Sequence, residues 1–239
     1  MKKKIKAILT NLAKKNLFFR KISRGVLNTY KHIRYKFRGI DKKIDENMVF
    51  FSSFNGKYYT DSPKAIYLYM KNNPEFKNYK FVWAFSEPEN HKDLECEDTI
   101  IVKQDSKSYE KYLTIAKYWV TNHRVYDYIY PKKNQVYVQC WHGTPLKRLA
   151  HDIDVSEDTT FYRSGVSYEQ MCHSYDVDVA RYNYMISPNA FCTKVFQTSF
   201  QINRERLIET GYPRNEAAAI CNELGYEDNL IDTGEIFGF

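Results

Sequence analysis

The chain has 239 residues, with 36 Lys+Arg against 29 Asp+Glu; 43% of it is hydrophobic and 16% aromatic. That composition excludes a disordered tail, a collagen and a coiled coil, and the length suffices for one sizeable core or two small ones. Five cysteines form no C-x-x-C pair. With no secretory signal pattern, the expectation is reduced thiols in a cytoplasmic protein.

The basic excess is local. Residues 1–40 hold 13 Lys+Arg and no acid, which leaves 23 bases against 29 acids in the rest. In this arm Ile5, Ile8, Leu9 and Leu12 fall at helical spacing on one face, followed by Leu17-Phe18-Phe19 and by Val26, Leu27 and Tyr30. Its apolar runs are too short for a spanning helix or a signal peptide. The favoured reading is a basic amphipathic helix on an anionic membrane surface. A helical extension packed on the body and a nucleic-acid-binding arm are the other two; the acidic body argues against nucleic acid. The boundaries read as 1–44 for the arm, 45–210 for the main lobe and 211–239 for a linker.

From Met48 the pattern alternates. Residues 48–54 read as a buried strand, followed by the loop Asn55-Gly56-Lys57. Ser62-Pro63 reads as a helix start, with Ser as cap and Pro in the first turn, and the helix runs to about Asn72. Strands are predicted at 79–85 and 99–103, a helix at 106–117, and strands at 118–121 and 135–141. A helix is predicted from Pro145, then a strand at 184–187, a helix after Pro188 and a short strand near Leu207. Strands alternating with helices predict an α/β fold with a mostly parallel sheet.

The segment with chemical potential is WHGTPLKR at 141–148. The strand is predicted to end at Trp141, Gly143 to allow a tight turn, and Thr144 to cap a helix opening on Pro145. His142 then stands at the carboxyl end of a parallel strand, where open α/β sheets bind ligands. Free N–H groups of the first helical turn, with Lys147 and Arg148, suit a phosphate. Histidine titrates near neutrality and can take a proton from a hydroxyl. His123, His151 and His173 lack metal-ligand spacing, so no metal and no cofactor is expected.

These residues resemble the CDP-glycerol glycerophosphotransferases, the teichoic acid primases and polymerases of Gram-positive bacteria. Beyond WHGTPLK, the resemblance extends in order through residues 51–66 (FSSFNGKYYTDSPKAI), 79–83, 118–122, 135–139, 185–189 and TGYPRN at 210–215, with Glu216 where the family has an aspartate. It implies a Rossmann-like first lobe of a GT-B-type fold, which receives the polymer, with a second lobe that binds the CDP-alcohol. His142 matches the family histidine proposed as base. Gly56, Lys57 and Arg214 lie in the matching segments and join Gly143, Thr144, Lys147 and Arg148 as expected substrate- and phosphate-binding residues.

The implied reaction moves glycerol phosphate or ribitol phosphate from CDP-glycerol or CDP-ribitol to a polyprenyl-linked polymer, with CMP leaving. The expected location is the cytoplasmic face of the membrane, held peripherally through residues 1–40, with no nucleic-acid partner; a homo-oligomer is compatible with this reading. Residues after Glu216 match no second lobe, so the expectation is a fragment, a truncated frame or half of a split enzyme, which alone is inactive. Two alternatives stand beside it: a non-catalytic lobe that binds anionic polymer or membrane, and a GT-B sugar transferase.

Overall fold

The computed structural model describes residues 17–156, 159–161 and 166–215. Helix α1 (Leu17–Gly39) leads into β1 (Asp45–Ser52), α2 (Asp61–Asn72), β2 (Lys80–Phe85), β3 (Thr99–Lys103), α3 (Lys107–Ile115), β4 (Ala116–Thr121) and β5 (Val136–Gln139). A two-residue pair, β6 (Thr160–Phe161) and β7 (Val166–Ser167), precedes α4 (Tyr168–Val179), β8 (Tyr184–Ser187), α5 (Ala190–Ser199) and β9 (Leu207–Glu209).

Seven strands form one sheet in the order β3-β2-β1-β4-β5-β8-β9. Every pairing in it is parallel. The chain first builds outward from β1 to β3, then returns to place β4 on the other side of β1. The topological switch point therefore lies between β1 and β4, and the crevice at their carboxyl ends is where such sheets bind ligands.

Buried strands need apolar residues on both faces, and β1 shows why two cores form. Met48 and Phe50 point into one cluster with Tyr109 and Leu113 of α3, Val179 of α4 and Phe196 of α5. Val49 and Phe51 point into the other, with Tyr67 of α2, Trp83 and Phe85. In that second core Phe51 stacks on Trp83 at 5.2 Å and Trp83 on Phe85 at 5.6 Å between ring centroids.

Part of the basic arm is docked. Tyr35 of α1 is buried in the first core. Arg34 pairs with the buried carboxylate of Glu110 in α3, and Arg38 Nε lies 3.0 Å from its other oxygen. Burial beside that carboxylate raises the Tyr35 hydroxyl well above the usual phenol range. The opposite face of the helix is solvent-facing: Ile22, Val26, Tyr30, Ile33 and Phe37 are exposed at spacings of four and three, and Ile40 continues the row just beyond the helix. The residues 5, 8, 9 and 12 lie outside the described residues.

The structure corrects the sequence reading in three places. No helix follows Pro145: residues 142–149 are irregular, ending at a single tight turn, Ala150–Asp152. Leu146 is 91% exposed. Short helices need an apolar face packed on a neighbour, and this segment buries only its ends, Pro145 and Ala150. Ser62 is not a cap, because the helix already includes Asp61 and the Ser62 hydroxyl makes no hydrogen bond. Helix α4 was not anticipated, although its signal is present: Ser167 and Gln170 form a reciprocal capping box.

Candidate active site

The carboxyl ends of β1, β4 and β5 converge on one crevice, and the backbone there is unusual. Phe54, Asn55 and Asp61 after β1 and Trp141 after β5 all have positive φ, +45°, +58°, +64° and +54°. Non-glycine residues adopt this region at a cost, and such residues cluster where a fold holds functional groups in place.

Asp61 is the anchor. Its carboxylate is buried and accepts from Asn122 Nδ2 at 2.5 Å and from Arg214 Nη1 at 2.7 Å. Asn122 Oδ1 in turn accepts the Phe54 N–H at 2.8 Å. The Asn122 carbonyl accepts from His142 Nδ1 at 3.0 Å. Because a carbonyl can only accept, Nδ1 carries a proton, and in the neutral ring Nε2 keeps its lone pair. The imidazole is exposed and stacks on Trp141 at 4.3 Å between centroids. Among the described residues no hydrogen bond reaches Nε2.

Beside it, His123 is buried, with Nε2 2.9 Å from Ser52 Oγ and Nδ1 3.1 Å from the Arg124 carbonyl. Burial pushes its pKa down to about 4, so it is neutral near pH 7. Two adjacent histidines thus differ: one locked and neutral, the other open to solvent.

Thr144 Oγ1 lies 3.3 Å from the Tyr212 hydroxyl. Arg214 lies over the Tyr212 ring at 4.4 Å and 3.5 Å from the His142 carbonyl. His142, Thr144 and Arg214 are therefore brought together, with Asp61 and Asn122, which the sequence reading did not single out. Asn122 directly follows the strand predicted at 118–121 and Asp61 directly precedes the predicted helix start Ser62-Pro63, but nothing local to either position points to the other.

Gly56 lies at the same edge, but its requirement is internal. It has φ +78°, and a Cβ there would meet the Ser86 nitrogen at 2.9 Å and the Ala84 oxygen at 3.0 Å. Lys57 beside it is exposed. A Cβ on Gly143 would meet nothing within 4 Å. Lys147 and Arg148 are exposed on the irregular loop, and Arg148 lies 3.5 Å from Asp154. Without a helix behind Pro145, no row of first-turn N–H groups stands beside them.

A concavity of about 650 Å³ is at the opposite, amino edge of the sheet. Lys36, Lys42, Lys43 and Lys132 line it together with Ile40 and Ile44. Chemistry belongs with the carboxyl edge, where the polar groups converge. No helix among the described residues is long and apolar enough to cross a membrane.

A parallel α/β sheet with an exposed histidine at its carboxyl edge is the architecture of a Rossmann-like lobe of the GT-B type. The profile of the CDP-Glycerol:Poly(glycerophosphate) glycerophosphotransferase family matches residues 34–226, and the chain belongs to that family. It is 37% identical over 219 residues to a teichoic acid poly(glycerol phosphate) polymerase of Staphylococcus epidermidis, covering 89% of this chain and 29% of the relative. It is 32% identical over 184 residues to a teichoic acid glycerol-phosphate transferase of Staphylococcus aureus, covering 75% and 44%. The solved wall teichoic acid polymerase TagF superposes with a TM-score of 0.71 at 34% identity, over 89% of this chain and 51% of that one. A structure of the same polymerase soaked with CDPG aligns equally well, at 33% identity. The chain thus spans about half or less of the length of these proteins.

Proposed function

We propose that this chain forms the acceptor lobe of a glycerophosphotransferase that extends a teichoic acid or related surface polymer. The observation that carries the reading is the His142 imidazole, held through Nδ1 at the carboxyl edge with Nε2 free. An acceptor hydroxyl attacks the phosphorus that bears glycerol. The new P–O bond forms as the bond to CMP breaks, and the hydroxyl proton passes to Nε2. CDP-glycerol is the donor, supplied from a second lobe across the crevice. The relatives' names support glycerol over ribitol.

Lys57, Thr144, Lys147, Arg148 and Arg214 are the polar side chains available to hold phosphates of acceptor or donor. Thr144 and Arg214 stand beside His142 at the carboxyl edge, and Lys57, Lys147 and Arg148 are exposed on the segments that follow β1 and β5. CMP release from CDP-glycerol with a lipid-linked acceptor, measured with the chain joined to a donor lobe, tests the reading. Acceptor-dependent CMP release supports it; binding of polymer with no CMP release favours the non-catalytic lobe instead.

The same reading assigns α1 to the cytoplasmic membrane surface. Its exposed apolar row and basic flanks are the features that support it. Phe37→Glu, towards the end of that row, should release the chain from anionic vesicles, and added salt should weaken binding of the unmodified chain. Salt-insensitive binding would contradict the assignment.

A further inference from the structure

We propose that Asp61 and Asn122 are positioning residues that select the Nδ1–H tautomer of His142. The inference deepens the proposed function, which supplies the reason a free Nε2 matters, but its geometry stands independently.

Asn122 is fully buried and pinned at both ends of its side chain. Its Oδ1 accepts the Phe54 N–H, and its Nδ2 donates to Asp61. Each partner has one role only, a backbone donor on one side and a carboxylate acceptor on the other, so the amide has a single satisfiable orientation. That clamp fixes the Asn122 backbone, and with it the direction of the carbonyl that receives His142 Nδ1–H.

Asp61 is itself held in place. It adopts φ +64° at the head of α2, and its second oxygen takes the Arg214 guanidinium. The left-handed backbone carries the carboxylate to Asn122 at the switch point, and the surrounding contacts offset its cost. A line of contacts therefore runs Arg214, Asp61, Asn122, His142, drawn from four separate segments of the chain.

The chemical consequence is specific. A free neutral imidazole favours the Nε2–H tautomer, whose exposed nitrogen is a donor and cannot take a proton. A carbonyl fixed 3.0 Å from Nδ1 reverses the preference. When Nε2 takes the acceptor proton, Nδ1–H remains on the carbonyl, so the ring keeps its orientation as it becomes charged. The neutral state of His123 helps, because a second cation beside the imidazolium would oppose it.

The experiment is nitrogen NMR of ¹⁵N-histidine-labelled chain, which assigns the tautomer of His142 without any turnover. The unmodified chain should show a protonated Nδ1 and a bare Nε2 above the histidine titration. Asn122→Ala should shift the neutral ring toward Nε2–H, and Asp61→Leu should do the same. Asp61→Asn, which keeps an acceptor for the Asn122 amide, should retain most of the Nδ1–H form. Amide spectra report whether each variant is folded. Nε2–H in the unmodified chain overturns the proposal even if both variants fail to fold. An unchanged Nδ1–H form in a folded Asn122→Ala or Asp61→Leu variant also overturns it. Neither result depends on whether the joined enzyme releases CMP, so the two readings fail separately.

Discussion

Arg214 Nη1 lies 2.7 Å from Asp61 Oδ1, joining residues 153 apart in sequence across the carboxyl edge of the sheet. The carboxylate is almost fully buried, while the arginine is about a quarter exposed. Removing the guanidinium leaves a buried charge short of one partner. Arg214→Ala should destabilise the fold by about 1–3 kcal/mol. Arg214→Lys should recover part of that loss, since a point charge replaces the fork imperfectly. Chemical denaturation of the two variants checks the order; equal stability of Arg214→Ala and the unmodified chain would show that this pair contributes nothing to stability.

Two glycines of the matching segments, Gly56 and Gly143, should separate cleanly. Gly56→Ala forces a Cβ against the β2 backbone at a left-handed φ, and should cost at least about 2 kcal/mol. Gly143→Ala meets open space and should change stability by no more than about 0.5 kcal/mol. If Gly143 leaves room for substrate, the same substitution should lower turnover in the joined enzyme. Thermal melts and kinetics together decide; a destabilised Gly143→Ala would contradict the geometry.

Glu110 governs the attachment of the arm. It is buried, and both its arginine partners come from α1. Glu110→Ala should destabilise by about 2 kcal/mol, discounted because those arginines are partly solvated. More specifically, amide exchange in residues 32–39 should accelerate while the central strands stay protected. Unchanged protection of α1 would show that Tyr35 alone holds it.

His123 predicts the acid limb of stability. Its folded pKa, about 4, is below the ordinary value of 6.5. The unfolded chain therefore binds more protons between these values, and stability falls as pH drops through that window. The loss should reach about 3 kcal/mol by pH 4 and be absent above about pH 7. His123→Gln should flatten this dependence relative to the unmodified chain. Parallel urea titrations at pH 7 and pH 4.5 measure it; equal slopes in both proteins would contradict the burial argument.

Much of the lobe was legible because its signals are local. The strand at 99–103 and the strand at 184–187 coincide with their predicted ranges, since each is a short apolar run with clear breakers. The helix after Pro188 was readable too, with Asn189 capping it. The helix predicted from Pro145 does not form. Thr-Pro is a good start signal, but Leu146 finds no surface to pack on, and packing decides short helices. His142 was legible as a strand-end histidine. Asp61 and Asn122 were not, because their role arises only when β1, β4 and β5 become neighbours and the chain returns at Arg214.

The central claim is that His142 removes the acceptor proton. His142→Ala in the chain joined to a donor lobe, assayed for CMP release with saturating CDP-glycerol and a lipid-linked acceptor, tests it most directly. The account predicts a fall in kcat of about 10²–10⁴ with KM little changed, and a stability change of no more than about 1 kcal/mol for an exposed side chain. A variant that keeps near-full turnover would show that the imidazole is not the base and would contradict the account.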